Sequence, residues 1–255
     1  MLLAIDIGNT SISLGVLSQH KVRARYHVDT FLSKRRIRPD LTRLFRQIKK
    51  KHPSISAVVL CSVVPSLTAV MNSYTKTFFR LTPLVIGRDL IVPIKNNYYN
   101  PQQVGQDRLV GAYAVKMLYG FPSIIIDFGT AITFDVVSAK GGYEGGIIIP
   151  GLRLSAESLF QKTAMLPRVE DIKIPRHLIG KDTRESILSG LFFGYGAMSC
   201  GLIDVISRHL KRKVKVVVTG GYTHLMRKFI INKIDVIDND LVFKGLSLLY
   251  STLKF

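Results

Sequence analysis

Two short segments, 121 residues apart, carry nearly the same arrangement of a carboxylate, a glycine and small polar residues. The first is Asp6-Ile7-Gly8-Asn9-Thr10 and the second is Asp127-Phe128-Gly129-Thr130-Ala131, each at the end of an apolar run of strand length. An aspartate at a strand end can hold a cation, glycine lets the backbone approach a phosphate, and Thr or Asn adds hydrogen bonds. The pattern therefore predicts two phosphate-binding turns, which would form a cleft if they faced one another.

The elements around these turns recur in the same order. Alternating and apolar runs predict strands at residues 2–7, 12–17, 22–28, 57–64 and 84–86, and again at 123–127, 133–137, 141–147 and 214–218. Helical spacing predicts helices around 40–50, 65–79, 106–119, 154–163 and 183–209. The repeated order of strand, turn, strand, strand indicates a duplicated α/β domain. We expect domains at residues 1–119 and 120–255.

Two further glycine-bearing segments have alternative interpretations. Thr219-Gly220-Gly221 ends a predicted strand and is either a third nucleotide contact or a plain strand-to-helix turn. The last predicted helix carries small residues at positions 190, 194, 196, 197 and 201. Glycine costs roughly 1 kcal/mol per helix position relative to alanine, so these residues indicate close approach by another backbone. That backbone belongs either to the other domain or to another subunit.

The net charge of +19, from 36 Lys and Arg against 17 Asp and Glu, is typical of many nucleic-acid binders. However, the basic clusters at residues 34–36, 49–51 and 211–213 lie far apart in the sequence and next to predicted element ends. That distribution favours dispersed surface charge, so we do not expect a nucleic-acid partner. A basic field would also attract an anionic substrate and a nucleotide.

Composition predicts a folded cytoplasmic protein. The chain is 47% hydrophobic, and we expect no apolar run near the roughly 18 residues of a membrane span, and no leader segment. Cys61 and Cys200 lack the spacing of a zinc or redox motif, so buried free thiols are expected. The six histidines show no ligand spacing and are assigned to the surface or to helix ends.

The ordered set of motifs resembles the type III pantothenate kinases, a family of the actin-like, acetate-and-sugar-kinase superfamily. Besides the two phosphate turns, the resemblance covers Asn100-Pro101, Val104-Gly105-Gln106-Asp107-Arg108, Gly145-Gly146, Pro150-Gly151, Thr163-Ala164-Met165-Leu166-Pro167, Ile179-Gly180-Lys181-Asp182-Thr183, Thr219-Gly220-Gly221, Asn239-Asp240-Leu241 and Gly245-Leu246. It implies two duplicated actin-like, ribonuclease H-like domains with an ATP cleft between them. It also implies transfer of the γ-phosphoryl group of ATP to the primary hydroxyl of pantothenate, the first step of coenzyme A synthesis.

The resemblance identifies Asp107 as the catalytic base. An alcohol is a weak nucleophile at neutral pH, so a carboxylate that receives its proton suits this chemistry, and Arg108 would keep that carboxylate ionised. From the residues alone, Asp107-Arg108 can also be a charge pair at a helix N-terminus. The substrate contacts implied by the resemblance are Tyr98, Gly105, Gln106, Asp107, Arg108 and Thr183. Tyr98 has the alternative of a surface loop aromatic beside Tyr99, and Thr183 that of a helix N-cap.

The resemblance assigns nucleotide and cation contacts to both turns. Asp6 would organise Mg²⁺, through water, and Asp127 would bind a monovalent cation, K⁺ or NH₄⁺. The nucleotide contacts would be Asp6, Ile7, Gly8, Asn9, Thr10, Ser11, Ile12, Ser13 and Thr130. Two residues depart from the family pattern: Gln106 replaces a small residue and should change pocket shape, while Ile132 replaces a threonine and removes a hydroxyl.

The resemblance also implies a homodimer whose substrate pocket is completed across the subunit interface. A competing interpretation is a non-catalytic transcription-accessory regulator of the same fold, which the basic charge would suit. The retained carboxylates, the Asp107-Arg108 pair and Thr183 argue against it, because a protein without catalysis has no chemical need for them. A second alternative is another small-molecule kinase of the superfamily.

Overall fold

The structure, a computed structural model, describes residues 1–29 and 34–253, with the side chains of residues 34–37 left out. The predicted basic cluster at 34–36 therefore lies outside the described side chains. The chain forms two compact units. Unit 1 comprises Met1–Ile94, Tyr99–Ala114 and Asp240–Phe255, and unit 2 comprises Lys95–Tyr98 and Val115–Asn239.

Unit 1 is built on a five-stranded sheet of order β3-β2-β1-β4-β5. Its elements are β1 (Leu2–Ile7), β2 (Ser11–Ser18), β3 (Lys21–Asp29), α1 (Lys34–Lys51), β4 (Ala57–Ser62), α2 (Pro65–Phe79), β5 (Leu84–Val85), the part of α3 (Gln106–Leu118) up to Ala114, and α8 (Leu241–Ser251). β1 pairs antiparallel with β2 and parallel with β4.

The two faces of this sheet are covered by different helices. On one face Leu3, Ile5 and Ile7 pack with apolar residues of α1 and α2 in one buried cluster. On the other face α8 contacts β1 and β4, and a Cβ added at Gly15 of β2 would lie 2.9 Å from the ring of Phe243 in α8. Because side chains alternate along a strand, Ala4 and Asp6 of β1 belong to this second face.

Unit 2 repeats the plan with a sheet of order β10-β9-β6-β7-β8. Its elements are β6 (Ser123–Phe128), β7 (Ala131–Val137), β8 (Tyr143–Pro150), α4 (Leu152–Lys162), α5 (Thr183–Ser189), α6 (Tyr195–Leu210), β9 (Lys215–Thr219), α7 (Thr223–Ile230) and β10 (Val236–Ile237). β1 and β6 have the same length and the same pattern of burial, residue by residue. The predicted α/β duplication is confirmed.

A single helical stretch runs through α5, a π-helical turn at Gly190–Gly194, and α6. Thr183–Leu210 contains a window of mean hydropathy 1.5, so by length and composition it could cross a membrane. The expectation that no apolar run reaches this length is therefore wrong. Its residues Ile187, Leu191, Phe192 and Ile203 belong to the buried core of unit 2, as expected of a core helix.

Each unit is formed by segments that are separated in the sequence. α8 follows all of unit 2 in the chain but packs on the sheet of unit 1, with Asp240 accepting two hydrogen bonds from Arg25 of β3. Ser247 of α8 hydrogen-bonds with His20 at 2.9 Å. The division at residues 119 and 120 remains a prediction about domain organisation.

Candidate active site

The first phosphate turn leaves the sheet of unit 1 where β1 ends. The Gly8 N–H donates to the Ser11 carbonyl at 2.9 Å, which closes a tight turn before β2. Asp6 is half-buried and lies opposite Ser13 in the register, so both side chains are on the face covered by α8. By contrast, the side chains of Ile7 and Ile12 are fully buried in the cluster on the opposite face. Those two residues can offer a ligand only their backbone.

Asp107 lies at the start of α3 and shares a buried neighbour with Asp6. That neighbour is Cys61 of β4, the register partner of Asp6 in β1. Burial, and then the charges of Asp6 and Asp107, raise the pKa of the Cys61 thiol well above its ordinary value. Two carboxylates separated by 101 positions in the chain therefore act on one side chain of unit 1. The assignment of Asp6 and Asp107 to one site stays a prediction, and nothing in the sequence indicated that both would act on Cys61.

The residue before the Gln106-Asp107 pair must be small for this geometry. A Cβ at Gly105 would lie 2.5 Å from Asp107 Oδ1, and Oδ1 accepts a hydrogen bond from the Arg108 N–H at 2.9 Å. The carboxylate thus folds back over its own backbone at the helix start, where the helix dipole stabilises negative charge. The role of Asp107 as the catalytic base stays a prediction.

Gln106 has a structural contact that explains its larger side chain. Gly87 adopts a φ of +84°, and a Cβ added there would lie 3.0 Å from Gln106 Cδ. The side chain of Gln106 therefore covers the turn after β5. Its effect on the shape of the substrate pocket stays a prediction.

The second phosphate turn, in unit 2, is enclosed by close backbone approaches. Gly129 N–H donates to the Ala131 carbonyl at 3.1 Å, so this turn is one residue shorter than the first. A Cβ at Gly220 would collide with Asp127 Oδ1 and lie 2.6 Å from the Phe128 backbone. A Cβ at Gly151 would collide with the Thr130 carbonyl. Gly220 therefore lies directly beside Asp127, in the turn that leads from β9 to α7. A nucleotide contact of Thr219-Gly220-Gly221 stays a prediction.

Ile132, which replaces a threonine of the family pattern, is a core residue of unit 2. Its side chain is fully buried in the core of unit 2, as Ile12 is in unit 1. Asp127 pairs in register with Thr133, and Thr133 lies on the opposite face of β7 from Ile132. A side chain at position 132 points into the core, so the missing hydroxyl does not remove a donor from the face that carries Asp127.

Tyr98 is held in unit 2 by a chain of contacts that sequence reasoning missed. Thr133 Oγ1 donates to Asp135 at 3.0 Å, and the Tyr143 hydroxyl donates to the other oxygen of Asp135 at 2.8 Å. The Tyr143 ring lies 6.5 Å from the ring of Tyr98, and a Cβ at Gly145 would lie 3.2 Å from Tyr98. Tyr99 is fully exposed by comparison. Of the two adjacent tyrosines, only Tyr98 is held in place.

Thr183 begins α5 but does not cap it. The N-cap is Asp182, whose carboxylate accepts from the Glu185 N–H at 2.7 Å. Glu185 in turn accepts from the Lys181 N–H at 2.9 Å and from His177, and these contacts lower its pKa. The alternative of a helix N-cap is thus removed for Thr183, whose side chain is exposed.

Comparisons with known proteins agree with this architecture. The sequence model of the type III pantothenate kinase family matches residues 2–205. A type III pantothenate kinase of Persephonella marina is 42% identical over 260 residues, covering 98% of this chain and 98% of the relative. The chain belongs to the type III pantothenate kinase family. It is therefore a kinase that phosphorylates pantothenate in coenzyme A biosynthesis and uses ATP.

Two solved structures show the fold. The ethanolamine utilization protein EutJ of Carboxydothermus hydrogenoformans has a TM-score of 0.57 at 14% identity, covering 97% of this chain and 89% of its own. The activator of 2-hydroxyisocaproyl-CoA dehydratase from Clostridium difficile, with bound ADPNP, has a TM-score of 0.53 at 12% identity, covering 100% and 98%. The predicted actin-like fold is confirmed.

The donor atoms of the two turns fit hard cations. Each turn offers one carboxylate beside hydroxyl and backbone oxygens, which suit Mg²⁺ and K⁺ better than soft metals. At Asp127, a Cβ at Gly129 would lie 3.1 Å from Oδ1 and a Cβ at Gly220 would collide with it, so only glycine lets both backbones approach the carboxylate this closely. Within residues 1–29 and 34–253, no three His, Cys, Asp or Glu side chains form a metal-ligating group.

Proposed function

We propose that the chain transfers the γ-phosphoryl group of ATP to the primary hydroxyl of pantothenate with Asp107 as the general base. This proposal is supported by the position of Asp107 at the start of α3, where the absence of a Cβ at Gly105 leaves room for its carboxylate, and by the pKa of buried Cys61, which the charges of both Asp6 and Asp107 raise. A carboxylate that accepts the proton of an alcohol, with a second carboxylate in the phosphate turn, is what a phosphoryl transfer to an alcohol needs.

In this proposal Asp107 accepts the proton of the pantothenate hydroxyl while the hydroxyl oxygen attacks the γ-phosphorus of ATP. The bond between that phosphorus and the bridging oxygen breaks, and ADP and 4'-phosphopantothenate are the products. Arg108 would stabilise the ionised carboxylate and would contact an anionic acceptor through its guanidinium. Tyr98 and Thr183, with Gly105 and Gln106, would contact pantothenate.

The nucleotide would be held by the two phosphate turns. Backbone N–H groups and side chains of residues 6–13 would contact its phosphates, with Thr130 contributing from the second turn. Asp6 would hold Mg²⁺ through water, and Asp127 would hold K⁺ or NH₄⁺. These cations, when bound, neutralise the charge of the transferring phosphoryl group.

The experiment that tests the function is a coupled ADP-release assay with pantothenate, joined to mass spectrometry of the acceptor. We expect one phosphate to be added to pantothenate and none to acetate, glycerol or hexoses. Phosphorylation of one of those compounds while pantothenate stays unmodified would overturn the substrate assignment and leave another kinase of the superfamily. Absence of any phosphoryl transfer would favour the non-catalytic regulator.

We also propose that the chain acts as a cytoplasmic homodimer, with the helix Thr183–Leu210 in the interface. Gly190, Gly194 and Gly201 are exposed, and a Cβ at each would meet nothing within 4 Å. Gly196 differs, because its Cβ would lie 2.6 Å from Phe229 within the same unit. The three exposed glycines are thus not explained by packing inside the chain, and they would let a second backbone approach closely.

Light scattering of two glycine variants tests this interface. Gly194→Leu should convert the dimer to a monomer without loss of thermal stability, because leucine is the better helix former by up to about 1 kcal/mol. Gly196→Leu is the contrasting control and should destabilise the fold itself. A parent protein that is monomeric and fully active at nanomolar concentration would rule out the dimer.

A further inference from the structure

The exposed side of α1 carries an unusually dense positive charge. The sequence of Lys34–Lys51 contains nine Lys and Arg and a single acidic residue, Asp40. Residues 1–94 as a whole contain 15 Lys and Arg against four Asp and Glu, so more than half of the net +19 arises there. We call the exposed side chains of Arg38, Arg43, Arg46, Lys49 and Lys50 the basic face of α1.

The basic face is ordered by packing underneath it. Leu41, Leu44, Phe45 and Ile48 of the same helix are at most 9% exposed and belong to the core of unit 1. At its start, the Arg38 carbonyl accepts hydrogen bonds from Thr42 Oγ1 and from the Tyr74 hydroxyl of α2, both at 2.9 Å. The helix is therefore fixed, and the exposed arginines of the basic face project from it, while Lys49 Nζ lies over the ring of Phe79 at 5.6 Å from its centroid.

The arginines of the basic face line a groove. A surface depression of about 590 Å³ is bounded by Arg38, Pro39, Thr42, Arg43 and Arg46. Among the described residues, the recorded ion pairs join other cations, such as Arg25 and Arg88, and none involves the basic face. Three guanidinium groups without carboxylate partners on a fixed helix suit bidentate contacts to phosphate.

Steering of the substrates does not account for this charge. α1 packs on the face of the sheet that carries Leu3, Ile5 and Ile7, whereas Asp6 lies on the opposite face. A ligand on the basic face would leave the carboxylates of the candidate active site uncovered. The charge of α1 therefore points to a second ligand.

The separation of the basic clusters in the sequence argued against a nucleic-acid partner, but the ordered basic face of α1 leads to a different conclusion. We propose that the basic face of α1 binds the phosphate backbone of duplex nucleic acid, without sequence preference. From Arg38 to Lys50 the helix extends about 18 Å, a length that spans roughly five phosphates of one strand. No apolar residue of the described part of α1 remains exposed to insert into a membrane, which argues against a lipid surface. The only aromatic residue of α1, Phe45, is fully buried, so the helix offers no platform for the stacked bases of a single strand.

Fluorescence anisotropy with a labelled mixed-sequence DNA duplex tests the proposal. With five phosphates neutralised, the logarithm of the binding constant should fall with the logarithm of salt concentration with a slope of about −4.5. The triple variant Arg38→Gln/Arg43→Gln/Arg46→Gln should reduce the slope to about −1.8 and weaken binding at about 50 mM salt at least 30-fold. The control Arg208→Gln/Arg212→Gln/Lys213→Gln removes the same charge from exposed positions of unit 2 and should bind like the parent.

The same experiment can overturn the proposal in several ways. The proposal fails if the parent does not bind duplex at low salt, or if both triple variants lose affinity equally. It also fails if a single strand binds as tightly as the duplex, or if vesicles containing phosphatidylserine are bound and the duplex is not. Thermal unfolding and pantothenate phosphorylation should be unchanged in both triple variants, so loss of binding cannot be attributed to misfolding, and the proposed function is tested separately.

Discussion

Gly105→Ala should disable catalysis by moving one carboxylate, without removing any functional group. The new Cβ would lie 2.5 Å from Asp107 Oδ1, whereas ordinary contacts begin at 3.4 Å, so the carboxylate must shift by about 0.9 Å. Gly105 does not have a positive φ, so alanine adds no backbone strain at this position. The consequence should therefore be confined to the position of Asp107.

A displacement of this size in a catalytic group costs about 100-fold in rate when geometry is critical. We expect kcat of Gly105→Ala to fall roughly 10- to 100-fold, which corresponds to about 1.4–2.7 kcal/mol in the activation barrier, with the KM for ATP nearly unchanged. Steady-state kinetics with pantothenate as the varied substrate measures both quantities.

Two further variants make the result interpretable. Gly111→Ala is the matched control on α3, because its Cβ meets only Leu241, at 3.9 Å, and kcat should be unaffected. The double variant Gly105→Ala/Asp107→Asn should have the same kcat as Asp107→Asn alone, since the alanine lowers kcat only by displacing the carboxylate of Asp107. A kcat of Gly105→Ala within twofold of the parent, or additive losses in the double variant, would refute the reasoning.

Three other outcomes follow from the site. Asp107→Asn keeps the shape but cannot accept a proton, so kcat should fall by roughly 10²–10⁴ while binding of a fluorescent ATP analogue persists; a loss of only a few fold would remove Asp107 as the base. Replacement of K⁺ by Na⁺ or Tris should depress the rate of the parent but not that of Asp127→Asn, and indifference of the parent would leave Asp127 a structural role. Cys61 should resist alkylation under conditions that modify Cys200, and fast modification of Cys61 in the folded protein would contradict its burial. The free energy of unfolding should decline above about pH 9, because the raised pKa of Cys61 favours the folded state only while its thiol is protonated.

The duplicated architecture was predictable because it depends on local patterns. Strand alternation around Asp6 and Asp127, with a glycine two residues after each, predicts a turn at the same place in each unit, and the two sheets have equivalent strand orders. The return of α8 to unit 1 was not predictable in this way. Its position depends on contacts such as Phe243 over Gly15, between residues more than 200 positions apart, which leave no periodic signal.

Part of the candidate site was predictable too, because it depends on local alternation along the strands. Alternation along β7 could have shown that Ile132 points away from the face of Asp127, since Thr133 is the residue on that face. The contact of Gln106 with Gly87, and the effect of Asp6 and Asp107 on the pKa of Cys61, depend on strand register and helix placement. Those features are set by packing of distant segments, which the order of residues along the chain does not reveal.

The place of α8 in the chain has a consequence for biosynthesis. During translation the sheet of unit 1 emerges first, but the face that carries Ala4 and Asp6 stays without α8 until residues 115–239 have also been made. At about 5–20 residues per second, those residues take roughly 6–25 s to make, and the sheet of unit 1 waits that long for its last helix. Completion of unit 1 should therefore be the late step of maturation, and an uncovered apolar sheet face is what a chaperone would protect in the nascent chain.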